Sequence, residues 1–155
     1  MNITNGNLSF KSVVIKDGGL NYVRNNDGNE AFQMLTDAES KYKKSNWRLI
    51  VDQNGYSLFS PTTCNTYTGP FSIKRHRKVD KENNVKEQLI IRTGENNKTK
   101  FVIDYPTREA VLSIYKKIKN STGLSKMLML FEALEQQHLL QKANKKLRES
   151  LRRIA

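Results

Sequence analysis

From Leu124 onward, apolar residues recur at helical spacing in a way that limits what this chain can fold into. Met127, Leu128, Leu130, Phe131 and Leu134 form a broad apolar band, which thins to Leu140, Leu147, Leu151 and Ile154. A helix from Leu124 to Ile154 is roughly 46 Å long at about 1.5 Å per residue. A globule of this chain length has a radius of gyration of only about 15 Å. The root of the helix is therefore expected to pack on the remaining chain and its tip to project into solvent. This divides the sequence into an α+β globular domain over residues 1–122 and a C-terminal helix over residues 123–155.

Charge is distributed just as unevenly. Of 27 Lys and Arg against 15 Asp and Glu, residues 1–70 carry seven and six, residues 71–105 nine and five, and residues 106–155 eleven and four. Of the net charge of +12, all but one unit thus lies beyond residue 70. A positive field of this kind concentrates polyanions, of which nucleic acid is the commonest.

The middle of the chain reads as strands. Trp47–Val51 and Tyr56–Ser60 flank Asp52-Gln-Asn-Gly55, a tight-turn signal. Residues 71–79, 85–93 and 100–105 follow as three further strands with short polar links, which imply an antiparallel arrangement. Pro61 to Pro70 reads as a Thr-rich loop. Nearer the N-terminus, Leu8 to Ile15 and Leu20 to Val23 suggest a hairpin around Asp17-Gly-Gly19, and residues 30–44 a helix. Pro106 ends the strands, and residues 107–120 form an amphipathic helix with Ala110, Val111, Ile114, Tyr115 and Ile118 on one face. The expected fold is α+β: an antiparallel β meander of about five to seven strands packed by one helix, then a long basic amphipathic helix.

Two basic tracts are the candidate sites. The first is Lys74, Arg75, Arg77 and Lys78, with Lys81 beyond. On a strand, alternation sends Lys74, His76 and Lys78 to one face and Arg75 and Arg77 to the other. Such a strand is an edge, a solvated face or a hairpin tip, whether its charges guard an edge or contact phosphates. The second tract is Lys142, Lys145, Lys146, Arg148, Arg152 and Arg153, which with one acid gives the last eighteen residues +5. The same helix carries a heptad seam through Leu140, Asn144, Leu147, Leu151 and Ile154, weakened by polar places. Of the aromatic residues in the strand region, Tyr67 in the Thr-rich loop is the one expected to be exposed, whereas Trp47, Phe59 and Phe71 read as core.

Enzymatic chemistry finds little support. The two histidines, His76 and His138, and the single Cys64 show no metal-ligand spacing, and Ser121-Thr-Gly-Leu-Ser-Lys126 lacks the order of a phosphate loop. Asp27 with Glu39-Ser-Lys41 only loosely imitates a nuclease carboxylate set. Neither a metal nor a cofactor is expected. One cysteine excludes an intramolecular disulfide, no stretch approaches bilayer-spanning length, and Met1 to Asn7 carries no leader-like run, so a soluble cytoplasmic protein is expected. The abundance of Asn, Lys and Ile suits an AT-rich genome, bacterial or viral, including phage.

The function these features point to is non-catalytic binding of nucleic acid, DNA or RNA, with little regard to sequence. The alternative is a protein-interaction module whose basic helix docks on an acidic protein surface of a host or regulatory machine, or pairs with a second copy as a homodimer.

Overall fold

A computed structural model describes the backbone of Leu8 and Ser9 and all of residues 12–154. Phe10 of the expected first strand and Ala155 lie outside the described residues. In chain order the elements are β1 (Leu8–Ser9), β2 (Val13–Ile15), α1 (Gly19–Asp27), α2 (Ala31–Lys41), β3 (Arg48–Asp52), β4 (Gly55–Phe59), β5 (Thr66–Tyr67), β6 (Ser72–Val79), β7 (Val85–Thr93), β8 (Thr99–Tyr105), α3 (Arg108–Lys119) and α4 (Gly123–Ile154). A single 3-10 turn, Glu95–Asn97, links β7 to β8.

The α+β class holds, but one continuous meander does not. The strands form two sheets, one ordered β1-β2-β3-β4-β5 and the other β6-β7-β8. Only the second is an antiparallel meander. In the first, β2 pairs parallel with β3, matching Val13, Val14 and Ile15 with Leu49, Ile50 and Val51. A parallel pair needs a crossover between its strands, and α1 and α2 supply it. This replaces the expected N-terminal hairpin, because Leu20 and Val23 stand three residues apart on one face of α1, and Val23 is fully buried. Gly19 is required where α1 begins: a Cβ there would press on the Val51 carbonyl.

Local chemistry explains the other boundaries. In the β3–β4 hairpin Asp52 Oδ1 accepts the N–H groups of Asn54 and Gly55 at 2.8 and 3.1 Å, and Gly55 takes the positive φ of 134°. Thr107 caps α3 by accepting the Ala110 N–H on its hydroxyl. The Thr-rich loop contributes the two-residue β5 to the edge of the first sheet.

The root of α4 is the central packing element. Leu124, Met127, Leu130, Phe131, Ala133 and Leu134 are buried in one continuous core with Leu49, Val51 and Leu58 of the first sheet, Leu89, Ile91 and Ile103 of the second, and Val111 and Ile118 of α3. Trp47 meets Phe101 edge-on at 5.5 Å between centroids, joining the two sheets. Asp27 fastens the start of α4 by accepting the Leu124 N–H on Oδ1 and the Tyr56 hydroxyl on Oδ2. Further along, Gln137 donates its side-chain amide to the Val102 carbonyl of β8, so α4 covers a strand edge that would otherwise be open to pairing. Past His138 every described residue of the helix is exposed. Four helices, rather than one, thus pack against the sheets.

Candidate nucleic-acid interface

The β6-β7-β8 sheet has one apolar face and one charged face, and strand register decides their contents. Ile73, Ile91 and Phe101 form one row of pairs, and Leu89 with Ile103 another; these side chains turn toward the core. The alternate positions face outward. Across the three strands they read Ser72–Arg92–Lys100, Lys74–Ile90–Val102, His76–Gln88–Asp104 and Lys78–Lys86. This outer face therefore carries five cations, Lys74, Lys78, Lys86, Arg92 and Lys100, against a single carboxylate.

A polar rung crosses its middle. His76 Nδ1 and Gln88 Oε1 are 3.1 Å apart, and Gln88 Nε2 donates to Asp104 Oδ1 at 2.8 Å. Lys86 approaches the other Asp104 oxygen at 3.9 Å, a long and solvent-screened pair that leaves most of its charge available. The five cations themselves are all exposed. At about 6.8 Å between same-face residues and about 4.8 Å between strands, the rows from Arg92 and Lys100 to Lys78 and Lys86 cover a patch of the order of 20 by 10 Å.

The basic tract on β6 is accordingly divided. Lys74 and Lys78 belong to the outer face, whereas Arg75 and Arg77 point to the opposite side, where the Arg75 guanidinium lies over the Tyr115 ring at 5.3 Å and Arg77 Nε donates to Glu87 Oε1 at 2.9 Å. Lys81 sits in the hairpin turn, which Asp80 organises by accepting the Glu82 and Asn84 N–H groups on Oδ1. The Asn84 N–H holds the Asp80 carboxyl below its ordinary pKa. Lys86, Arg92 and Lys100 do not stand out in the sequence, since none lies in a dense basic run. Their signal is period-two alternation read together with the two hairpin links.

The expectation of an exposed stacking ring on Tyr67 is overturned. Tyr67 is half-buried, with its ring edge-on to Phe101 at 5.7 Å and its hydroxyl 3.0 Å from Thr63 Oγ1. The ring is held there because β5 pairs with β4 on the first sheet. Trp47 is buried, and Phe59 and Phe71 are half-buried. Apart from the His76 imidazole, the cationic face has no aromatic residue.

The terminal helix segregates its side chains by angle. At about 100° per residue, Leu140, Asn144, Leu147, Leu151 and Ile154 fall within an arc of about 80°. Lys142, Lys145, Lys146, Arg148, Arg152 and Arg153 fall within a separate arc of about 160°, with Glu149 the one acid among them. The apolar stripe is solvated, with Leu140 50% and Ile154 82% exposed. Leu130 and Ala133, which continue the heptad pattern toward the root, are core residues and are not available to a partner.

The residues with a loose nuclease-like pattern serve separate joints. Glu39 Oε2 accepts from Ser12 N, Ser12 Oγ and Val13 N at 3.1, 2.9 and 2.9 Å, Asp27 anchors α4, and Lys41 pairs with Glu132 at 3.2 Å. Among the described residues no group of three or more His, Cys, Asp and Glu is placed to hold a metal ion. Among the same residues no helix is long and apolar enough to cross a membrane. Comparison with protein-family models, with curated proteins and with solved structures finds no match.

Proposed function

We propose that this protein binds nucleic acid without catalysis and with little sequence preference, laying a phosphate backbone on the outer face of the β6-β7-β8 sheet. The observation that carries this reading is the balance of five exposed cations to one carboxylate on a single sheet face. Such a face releases condensed counterions when it meets phosphates. With His76 as its one ring, it offers little for stacking unpaired bases. Contacts from a flat sheet face to phosphates carry no base information, so binding there should follow charge and not sequence. The cationic arc of α4, from Lys142 to Arg153, supplies a second phosphate-contacting surface in this proposal.

Gel-shift series at several salt concentrations test it, using wild type and a variant with Lys74, Lys78 and Lys100 replaced by alanine. Steep salt dependence that becomes shallower in the variant supports the proposal. Negligible affinity for both DNA and RNA at about 50 mM salt, where phosphate contacts are strong, refutes it. A cytoplasmic setting belongs to the same proposal, in keeping with an exposed, unpaired Cys64.

Pairing with a second copy is a further proposal, favoured by the solvated stripe on α4. The positions flanking that stripe are Gln136, Gln141, Ala143, Arg148 and Ser150, of which only one is charged. Two copies can meet there with little like-charge repulsion, whereas an acidic groove would find few cations beside the seam. Deleting residues 138–155 separates the proposals: loss of a dimer with nucleic-acid affinity intact assigns the helix to pairing, and loss of affinity in an unchanged monomer assigns it to phosphate contact. Liposome binding that requires anionic lipid would assign the cations to a membrane surface instead.

A further inference from the structure

The opposite face of the same sheet, beyond the apolar core, holds a cleft of about 320 Å3 lined by Arg75, Arg77, Glu87 and Arg108, with His76, whose ring meets Gln88 on the outer face, between the two β6 arginines. Two periods build it. On β6, alternation sends Arg75 and Arg77 to one face, with Arg77 directly opposite Glu87. On α3, the spacing 108, 111, 115 and 118 makes Arg108 the first member of the stripe that turns to the sheet, with Val111 and Ile118 buried and Tyr115 under Arg75. A guanidinium from the first turn of α3 is thereby brought to the end of the β6–β7 hairpin.

Three guanidiniums face one carboxylate, leaving a formal surplus of +2. The Glu87 side chain is only 13% exposed and takes a single bond from Arg77 Nε at 2.9 Å, so the two terminal nitrogens of Arg77 still have donors to offer. Among the described residues Arg75 and Arg108 form no ion pair. The Arg75 guanidinium is held over the Tyr115 ring at 5.3 Å, and a guanidinium so placed loses less freedom when it grips an anion. The N-terminus of the twelve-residue α3 adds its partial positive charge to the same end of the sheet. A structural role for the cluster would call for about as many acids as bases, and this cleft has three bases to one acid. Its volume lies at the lower end of ligand-sized clefts, which begin near about 300 Å3.

We infer that Arg75, Arg77 and Arg108 form a socket for a phosphate monoester. A monoester carries about −1.5 to −2 at neutral pH and matches the surplus of the cleft, whereas each diester of a nucleic-acid backbone carries only one charge. The group can come from the phosphorylated end of a nucleic acid or from a free mononucleotide. This inference does not depend on the outer face, since the two sets of cations lie on opposite sides of the sheet.

The test compares one short oligonucleotide bearing a terminal phosphate at its 5′ end, at its 3′ end, or at neither, by fluorescence anisotropy. A nucleoside 5′-monophosphate and inorganic phosphate serve as competitors. The expected result is about tenfold tighter binding of a phosphorylated end, as one charge-assisted contact provides. Arg108→Ala abolishes that preference, Arg108→Lys restores it in part, and the Lys74, Lys78 and Lys100 alanine variant keeps it while losing its general affinity. Oligonucleotides that bind alike, together with an Arg108-dependent affinity for the free nucleotide, would identify the mononucleotide as the source. Should no phosphate monoester, inorganic phosphate included, show any dependence on Arg108, the inference is overturned. Loss of the sheet-face effect alone would refute the proposed function and leave the socket standing.

Discussion

Removing Lys74, Lys78 and Lys100 takes away three of the five cations on the outer sheet face and none of the groups that hold the fold together. For duplex DNA the slope of log K against log salt is about −0.9 for each phosphate neutralised. Five contacts on this face therefore contribute about −4.5, and the two that remain about −1.8. Between about 50 and 200 mM salt the intact face should lose affinity by about 500-fold and the variant by only about 12-fold. Whatever the terminal helix adds is common to both proteins, so the difference in slope, about 2.7, isolates the face; for a single strand it is about 2.1. Lys86 is retained because its approach to Asp104 at 3.9 Å already offsets part of its charge. Anisotropy titrations of a labelled duplex at four salt concentrations measure the slope, and circular dichroism confirms that the variant is folded. Equal slopes in the two folded proteins would refute the assignment of phosphate contacts to this face.

The remaining predictions concern the scaffold and the terminal helix. Glu39→Ala should destabilise the protein by about 3 kcal/mol in urea denaturation, because it strips a charged acceptor from Ser12 N, Ser12 Oγ and Val13 N, and Ser12 is fully buried. Gly123→Ala should cost at least about 1 kcal/mol, since φ is 58° there and the new Cβ would collide with the Asp27 carboxylate that anchors α4; thermal unfolding would show it. Burial pushes the Tyr105 hydroxyl up to about 12, and burial with the nearby Asp27 carboxylate raises Tyr56 further. Both groups are raised above the unfolded value near 10, so their contribution is fully present below about pH 10 and is lost as pH rises through the folded values. Absorbance at the phenolate band should show this pair ionising late, together with unfolding. Leu147→Glu should convert any dimer to monomer on a sizing column without lowering melting temperature at low protein concentration, because Leu147 is 59% exposed.

Several elements could be read from neighbouring residues alone. The β3–β4 hairpin, the three strands of the second sheet, α3 and α4 all fall within a residue or two of their expected limits, because alternation over five to nine residues and helical spacing over twelve or more are local signals. The angular separation of leucines from cations on α4 is likewise visible in the order of residues. Helix α1 is not separable from a strand by sequence, because Leu20 and Val23 sit in a short apolar run that suits either state, and only the parallel partner of β2 decides between them. The cationic face is only half legible in the sequence: the β6 tract declares itself by density, while Lys86, Arg92 and Lys100 become its neighbours only through strand register.

By itself the order of residues determined where periods of two and of 3.6 run, where turns and caps interrupt them, and that positive charge gathers late in the chain. Tertiary structure alone decided that β2 lies along β3, that the root of α4 is enclosed in the core, and that Arg108 joins Arg75 and Arg77 across the end of the sheet. The reason is one of range. A period is set by the stereochemistry of adjacent peptides, whereas a pairing between distant segments is chosen by the total apolar surface the whole chain can remove from water.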